Sequence, residues 1–495
     1  MKNSKYIWVY GLAVTLLIVI VPIVIFAKPN DNVKKDDPWA HVTPTPVHTD
    51  HSALMTGPYE KPQDVTKACL QCHPDAAKEV QQTTHWTWLS KPVYVPERGG
   101  EYQLGKANAI NNFCIGIVPN YPACTTCHAG YGWSDENFDF SENNQESVDC
   151  LACHDNTGIY KKTKSGYPDD SVDLVAAAQS VGTPNRNNCG MCHFNGGGGN
   201  RVKHGDLDQS LTFPDKELDV HMGGYDFQCV TCHTTEHHDI RGKSISVSLD
   251  SLAAENQVAC TDCHSQTPHE DERINEHTDT VACQTCHIPA MARKESTKIY
   301  WDWSQAGHDL PESVHEYLKI KGSFTYQKNL VPEYRWYNET SYRYLAGDKI
   351  DPTKPTPMNY PKGDINDPTA KIWPFKVHRG KQPYDTEYMY FLLPKTFGEG
   401  GFWTDFNWDQ AFRLGAEANN LPYSGHYDFA PTEMYWPTTH MVAPKEDALQ
   451  CVDCHSETGR LDWVALGYPG DPIEFGGRDV TSQPVSQNVN QEGAK

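Results

Sequence analysis

Eight copies of Cys-x-x-Cys-His run through this chain of 495 residues. They are Cys69-Cys72-His73, Cys124-Cys127-His128, Cys150-Cys153-His154, Cys189-Cys192-His193, Cys229-Cys232-His233, Cys260-Cys263-His264, Cys283-Cys286-His287 and Cys451-Cys454-His455. The motif attaches haem c: two thiols add to the porphyrin vinyl groups, and the next histidine turns back to ligate the iron. Two intervening residues set both sulfurs under one porphyrin edge. Zinc knuckles do not require His after every second Cys, and a disulfide scaffold does not repeat this spacing. Of 17 cysteines, 16 fall in these motifs. The sequence therefore predicts eight covalently bound haem c groups, each iron held on one side by the motif histidine.

Each iron needs a second ligand. Of 23 histidines, those beyond the motifs are numerous enough for eight two-histidine haems. The better placed are His85, His204, His221, His238, His277 and His440; His51, His237, His269 and His378 are weaker. Methionine would raise the potential. The abundance of spare histidine points instead to low-potential, two-histidine haems.

These cofactors must also be the scaffold. Six motifs share residues 124–287, so each haem has too little polypeptide for an apolar core of its own. The expected fold is mainly α with extensive loops, a multihaem cytochrome c in which packed haems form the core. Residues 288–450 carry no motif and are rich in aromatics and prolines. Short helices and long loops around the haem stack are expected there. One octahaem domain would cover 65–478, after a tether at 28–64 and before a disordered polar tail at 479–495.

Residues 7–27 are uncharged, preceded by Lys2 and Lys5 and followed by Lys28. That run is long enough to span a bilayer and longer than a usual signal core. An inner-membrane anchor with an exported, periplasmic haem domain is expected; cleavage after Ala27 is the alternative. A net charge of −22 disfavours nucleic acid and anionic membrane surfaces as partners. An anionic substrate would need a local basic pocket. The basic run Phe375–Lys381 reads as a solvated face or as an anion funnel. Cys114, outside every motif, reads as a small buried residue or as a thiol beside a reactive haem. The glycines 196–199, followed by Asn200-Arg201-Val202-Lys203-His204, read as a flexible turn or as a loop laid closely against a porphyrin.

The strings Val65–Cys69, Thr84–Trp88, Ile110–Cys114, Cys124–Trp133, Gly196–Asp206 and Ala448–His455 resemble the octahaem tetrathionate reductase family of c-type cytochromes. The resemblance covers most of the chain after the anchor. It implies that the second haem, on Cys124 and Cys127 with His128 proximal, takes Lys203 as its distal ligand, with Cys114 nearby. The family pattern has an aspartate three residues before the lysine, where this chain has Asn200. Lys203 and Arg201 would then stabilise an anion and supply protons. The implied activity is reduction of a small sulfur or nitrogen oxyanion or related species (tetrathionate, nitrite or hydroxylamine), with electrons from a donor protein or a membrane quinol oxidoreductase. The rival is an electron conduit with every iron saturated. Hydroxylamine oxidation ranks low, since no tyrosine stands out as the haem-linked one that chemistry uses.

Overall fold

The computed structural model describes residues 37–44, 47–113, 115–242, 244–245 and 256–478. The anchor at 7–27, Cys114 and the tail at 479–495 lie outside them. Two compact bodies divide the chain. The smaller holds residues 37–44 and 259–275, and with them Cys260, Cys263, His264 and His269. Within it, Asn275 ties the local turn by accepting from the His269 amide at 2.9 Å and donating to its carbonyl at 3.0 Å. Everything else described belongs to the larger body.

The haem motifs of the larger body fold as short helical turns. Leu151–His154, Arg186–His193, Cys229–Cys232, Cys283–His287 and Cys451–Cys454 are α-helical, and Thr125–Cys127 is 3₁₀. One turn places residues three apart on the same side, so both thiols of a motif are presented together. The residue before the second cysteine can cap its own turn. Thr231 Oγ1 accepts from the Gln228 amide at 3.2 Å, and Asp453 Oδ2 from the Gln450 amide at 2.7 Å. Small apolar clusters tie motif to motif. One joins Val65 and Cys69 to Leu151, Ala177 and Ala178.

The expectation of a mainly α fold is corrected by residues 288–450. An eight-stranded sheet fills this region. Its centre is the strand Lys371–Asp385, paired antiparallel with Tyr427–Pro437 from Phe375 opposite Pro437 to Asp385 opposite Tyr427. On the other side Thr297–Asp302 runs parallel to it, and Gly322–Gln327 pairs onward from there. Glu333–Tyr337 pairs with its first residues. Aromatics of these strands make the largest apolar cluster, including Trp301, Phe324, Tyr337, Phe375, Tyr435 and Trp436. This core is protein, so the haems are not the only nucleus of the fold. The strand signal was masked by prolines at 374 and 383 and by the polar residues Lys376, His378 and Gln382. Each of these three is at most 1% exposed, so Phe375–Lys381 is not a solvated face. Among the described residues no helix is long and apolar enough to cross a membrane.

Candidate active site and haem ligands

A metal–imidazole bond of about 2 Å on each side, with about 1.1 Å from nitrogen to ring centre, separates two trans imidazole centroids by about 6.3 Å. Four motif histidines meet a second histidine at that spacing. His51 lies 6.4 Å from His73, His85 lies 6.2 Å from His193, His440 lies 6.3 Å from His233, and His277 lies 6.2 Å from His455. His238 lies close enough to His154 for their charges to interact. These rings could hold an iron between them.

The ring nitrogens fit that role. A ligating imidazole normally donates its other N–H to a carboxylate or carbonyl, which fixes the tautomer. Nδ1 of His154 faces the Gly182 carbonyl at 2.9 Å, that of His233 the Arg241 carbonyl at 2.8 Å, and that of His455 the Asp471 carboxylate at 2.6 Å. Among the partners, His51 Nδ1 faces the Thr49 carbonyl at 2.7 Å and His238 Nδ1 faces Glu79 at 2.7 Å. In each case Nε2 remains for a metal. Several motif thiols, Cys72, Cys153, Cys232 and Cys451, are exposed, as attachment to a large planar group requires.

Thiols of different motifs also approach one another. The Cys69 thiol lies close enough to that of Cys150 for the two to interact, as do Cys127 with Cys192, Cys189 with Cys229, and Cys286 with Cys454. Haems on the first and third motifs would be neighbours, as would those on the second and fourth, the fourth and fifth, and the seventh and eighth.

The second motif differs. His128 is the one fully buried motif histidine among the described residues. Its ring sits among Trp86, Trp88, Trp133, Phe138 and Phe140, with centroids 4.9–6.2 Å away. Nε2 lies 2.7 Å from the Trp86 carbonyl and Nδ1 has no partner. Burial pushes the imidazole down to about 3, the neutral form a metal needs. Lys162 donates to the His128 carbonyl at 2.7 Å and to the buried Asp149 carboxylate, which also accepts from Tyr131 and Tyr160. The backbone of His128 is thereby clamped.

Lys203 is half-buried, with its ammonium 4.5 Å from the Trp436 ring centre. Its charge acts on the Cys127 sulfur. Desolvation, then the charges of Lys106 and Arg343, hold its amine down at about 8. Among the described residues it makes no hydrogen bond or ion pair. The loop carrying it is gripped from the sheet: Lys376 Nζ donates to the Val202 carbonyl at 2.7 Å and to Thr297 Oγ1 at 2.6 Å. Lys376 is 1% exposed, and burial pushes its amine down to about 7. The glycine run grips from the other side. A Cβ on Gly197 would lie 2.1 Å from the Phe113 ring. So the run lies against Phe113, next to Cys114, and its close packing is with protein. Phe113 in turn lies 5.7 Å from Trp436.

Residues 298–458 match the family model for bacterial cytochrome c. The solved octaheme cytochrome c of Shewanella oneidensis is 49% identical, with a TM-score of 0.81, over 86% of this chain and 98% of its own. The chain belongs to the octahaem cytochrome c family. An uncharacterized protein of Archaeoglobus fulgidus is 24% identical over 246 residues, 40% of this chain and 82% of its own length. Covalent attachment of haem c follows from these matches and the motifs.

Within this octahaem cytochrome the remaining expected residues are distributed unevenly. Arg201 is in ion pair with Glu295 at 2.8 Å and near His315, so its guanidinium is committed there. Asn200 accepts from the Gln209 amide at 3.0 Å. His204 packs edge-on to Trp436 at 5.0 Å, and His221 stacks on Phe227 at 6.0 Å. His237 faces Glu79 at 3.1 Å. His378 is buried with neither ring nitrogen partnered. Sequence reasoning missed Lys106, Arg343, Trp436 and Asp206. Asp206 accepts from the His440 amide at 2.8 Å and fixes the backbone of that candidate ligand. Asp206 ends the string Gly196–Asp206 but carried no signal of its role there, and Lys106, Arg343 and Trp436 lie in no motif, so only the fold brings them to the site.

Proposed function

We propose that this octahaem cytochrome is an extracytoplasmic reductase of a small sulfur or nitrogen species (tetrathionate, nitrite or hydroxylamine) working at the haem of Cys124, Cys127 and His128, with Lys203 as its distal ligand. The observation that carries the reading is Lys203: an amine beside Cys127, without a partner, held near 8 by desolvation and neighbouring cations. A neutral amine binds metal weakly enough to be displaced, whereas a paired imidazole saturates its iron. When bound, the haem supplies an iron that passes electrons to substrate.

The protein's own residues would do the rest. His128, clamped through Lys162, would hold the iron together with Lys203. Lys203 Nζ takes or gives a proton as substrate arrives and product leaves, an amine near 8 being suited to both near neutral pH. Trp436 and Phe113 exclude water beside it. Cys114, between the buried Phe113 and Ile115, is the proposed thiol at the site. Paired histidines would hold the other seven haems as electron carriers, fed by a donor protein or a membrane quinol oxidoreductase. Export and anchoring by residues 7–27 belong to the same proposal.

The test is turnover of the haem-loaded protein with reduced viologen. Tetrathionate, nitrite and hydroxylamine are offered separately to wild type and Lys203→Ala. The expected result is rapid turnover of at least one, lowered by about two orders of magnitude in the variant at unchanged haem content. No turnover of any of them would leave a conduit.

A further inference from the structure

We propose that Arg343 is the receptor for an anionic oxygen group at the Lys203 centre, either the charge of an oxyanion substrate or the carboxylate of a haem propionate. Arg343 ends the strand Ser341–Arg343, opposite Asn359 of the strand Asn359–Pro361. It is 2% exposed. Nη2 donates to the Ile110 carbonyl at 2.5 Å and lies 3.3 Å from Asn111 Oδ1. Nε and Nη1 have no partner. Those two nitrogens carry three of the five N–H donors of a guanidinium.

No ion pair among the described residues includes Arg343, in a chain with 64 acidic side chains against 42 basic ones. A buried charge left unpaired is strongly disfavoured. Here it is also repelled, because Lys203 feels the charges of both Lys106 and Arg343. Arg343 and Lys106 both bear on the Lys203 amine, and among the described residues neither is in an ion pair. An anion is what such a cluster lacks, and a guanidinium is the group best shaped to meet carboxylate-like oxygens. A mere clamp on the Ile110 carbonyl would need one donor and no buried charge.

The surroundings are polar and equally unmet. Asn112 donates through Nδ2 to the His378 carbonyl at 2.6 Å, and Gln382 through Nε2 to the Asn111 carbonyl at 3.0 Å. Asn112 Oδ1, Gln382 Oε1 and both His378 ring nitrogens are buried without partners. They border the segment that leads into Cys114. The same segment packs through Phe113 on Trp436, the ring beneath Lys203. The proposal rests on the Lys203 reading for the anion's purpose, while the receptor follows from the burial and missing partners of Arg343.

The test is equilibrium binding to the oxidised holoprotein, followed by calorimetry near neutral pH. Nitrite and tetrathionate are the anionic probes and hydroxylamine the neutral one, for wild type, Arg343→Gln and Arg343→Lys. A substrate receptor predicts that Arg343→Gln weakens both anions by about ten-fold or more and leaves hydroxylamine within about two-fold, with Arg343→Lys between. A propionate receptor predicts unchanged anion binding but a shifted midpoint potential for one haem. Arg343→Gln that binds both anions like wild type and leaves every potential in place overturns the proposal. If the Gln variant fails to load its haems, Arg343→Lys decides, since it keeps a donor for the Ile110 carbonyl: a clear change in anion binding or in one potential supports the receptor, and no change overturns it. Because binding needs no turnover, anion binding through Arg343 in a protein that reduces nothing would sink the reductase reading alone.

Discussion

Lysine amines in this protein are set by where they are buried, and Lys298 shows the rule in its plainest form. It is 2% exposed, its ammonium lying 3.3 Å from the Phe324 ring centre and 3.7 Å from that of Trp301. Aromatic faces attract an ammonium by up to about 2 kcal/mol. Burial outweighs them, and with the Lys321 and Lys376 charges pulls the amine from 10.5 down to about 6. Above that value the folded protein has shed a proton that the unfolded chain still holds, so stability should rise with pH from about 6 to about 10. Lys298→Met should reduce that slope, leaving the shares of Lys376 and Lys203, and raise stability at neutral pH by on the order of a few kcal/mol. Chemical denaturation at several pH values checks this; an unchanged slope would show that Lys298 stays charged. The Lys203 amine obeys the same physics at higher stakes, being close to both protonation states where the protein works.

At the scale of elements, the Lys203 loop is held by two devices that the sequence advertised unequally. The glycine run was legible as something unusual. What it packs against was not, because Phe113 and Trp301 lie far away in the chain. Gly197 has φ +76°, Gly198 +108° and Gly199 +129°, all in the region that favours glycine. Gly197→Ala combines that strain with a Cβ driven into a Phe113 ring only 3% exposed. It should cost about 1–3 kcal/mol of stability and cut Lys203-dependent turnover by about ten-fold with haem content unchanged. Thermal unfolding and viologen-coupled assays read the two effects; normal turnover would mean that the loop does not position Lys203. The second device, Lys376 donating to the Val202 carbonyl, lies in the basic run that read as a solvated face or as an anion funnel. Period-two alternation turns Lys376, His378 and Gln382 inward together, and no local signal tells a buried polar strand face from a solvated one. The haem motifs were fully legible because covalent chemistry fixes their spacing. Their partners were legible only as candidates: His440 meets His233, and His277 meets His455, through tertiary packing rather than sequence neighbourhood. His51, read as part of a tether, sits 6.4 Å from His73.

For the whole molecule, the motifs and the sheet divide the labour. Short helical turns present the thiols in neighbouring groups, while the eight-stranded sheet of residues 297–437 supplies a rigid face from which Trp436 and Lys376 reach the Lys203 loop. Separate regions of chain thus converge around Lys203, the proposed iron ligand: the segment before Cys114, the motif at 124–128, the loop at 197–204, the strand end at Arg343 and the sheet. The other motifs with visible partners face histidine. In the loaded protein as a whole, then, a single iron should differ from the rest in its ligand. Near-infrared magnetic circular dichroism of the oxidised holoprotein distinguishes amine–imidazole from two-imidazole ligation directly. The account predicts one haem with an amine ligand, lost in Lys203→Ala, against a background of two-imidazole haems unaffected by the substitution. A spectrum with two-imidazole ligation at every iron, unchanged by Lys203→Ala, would contradict it.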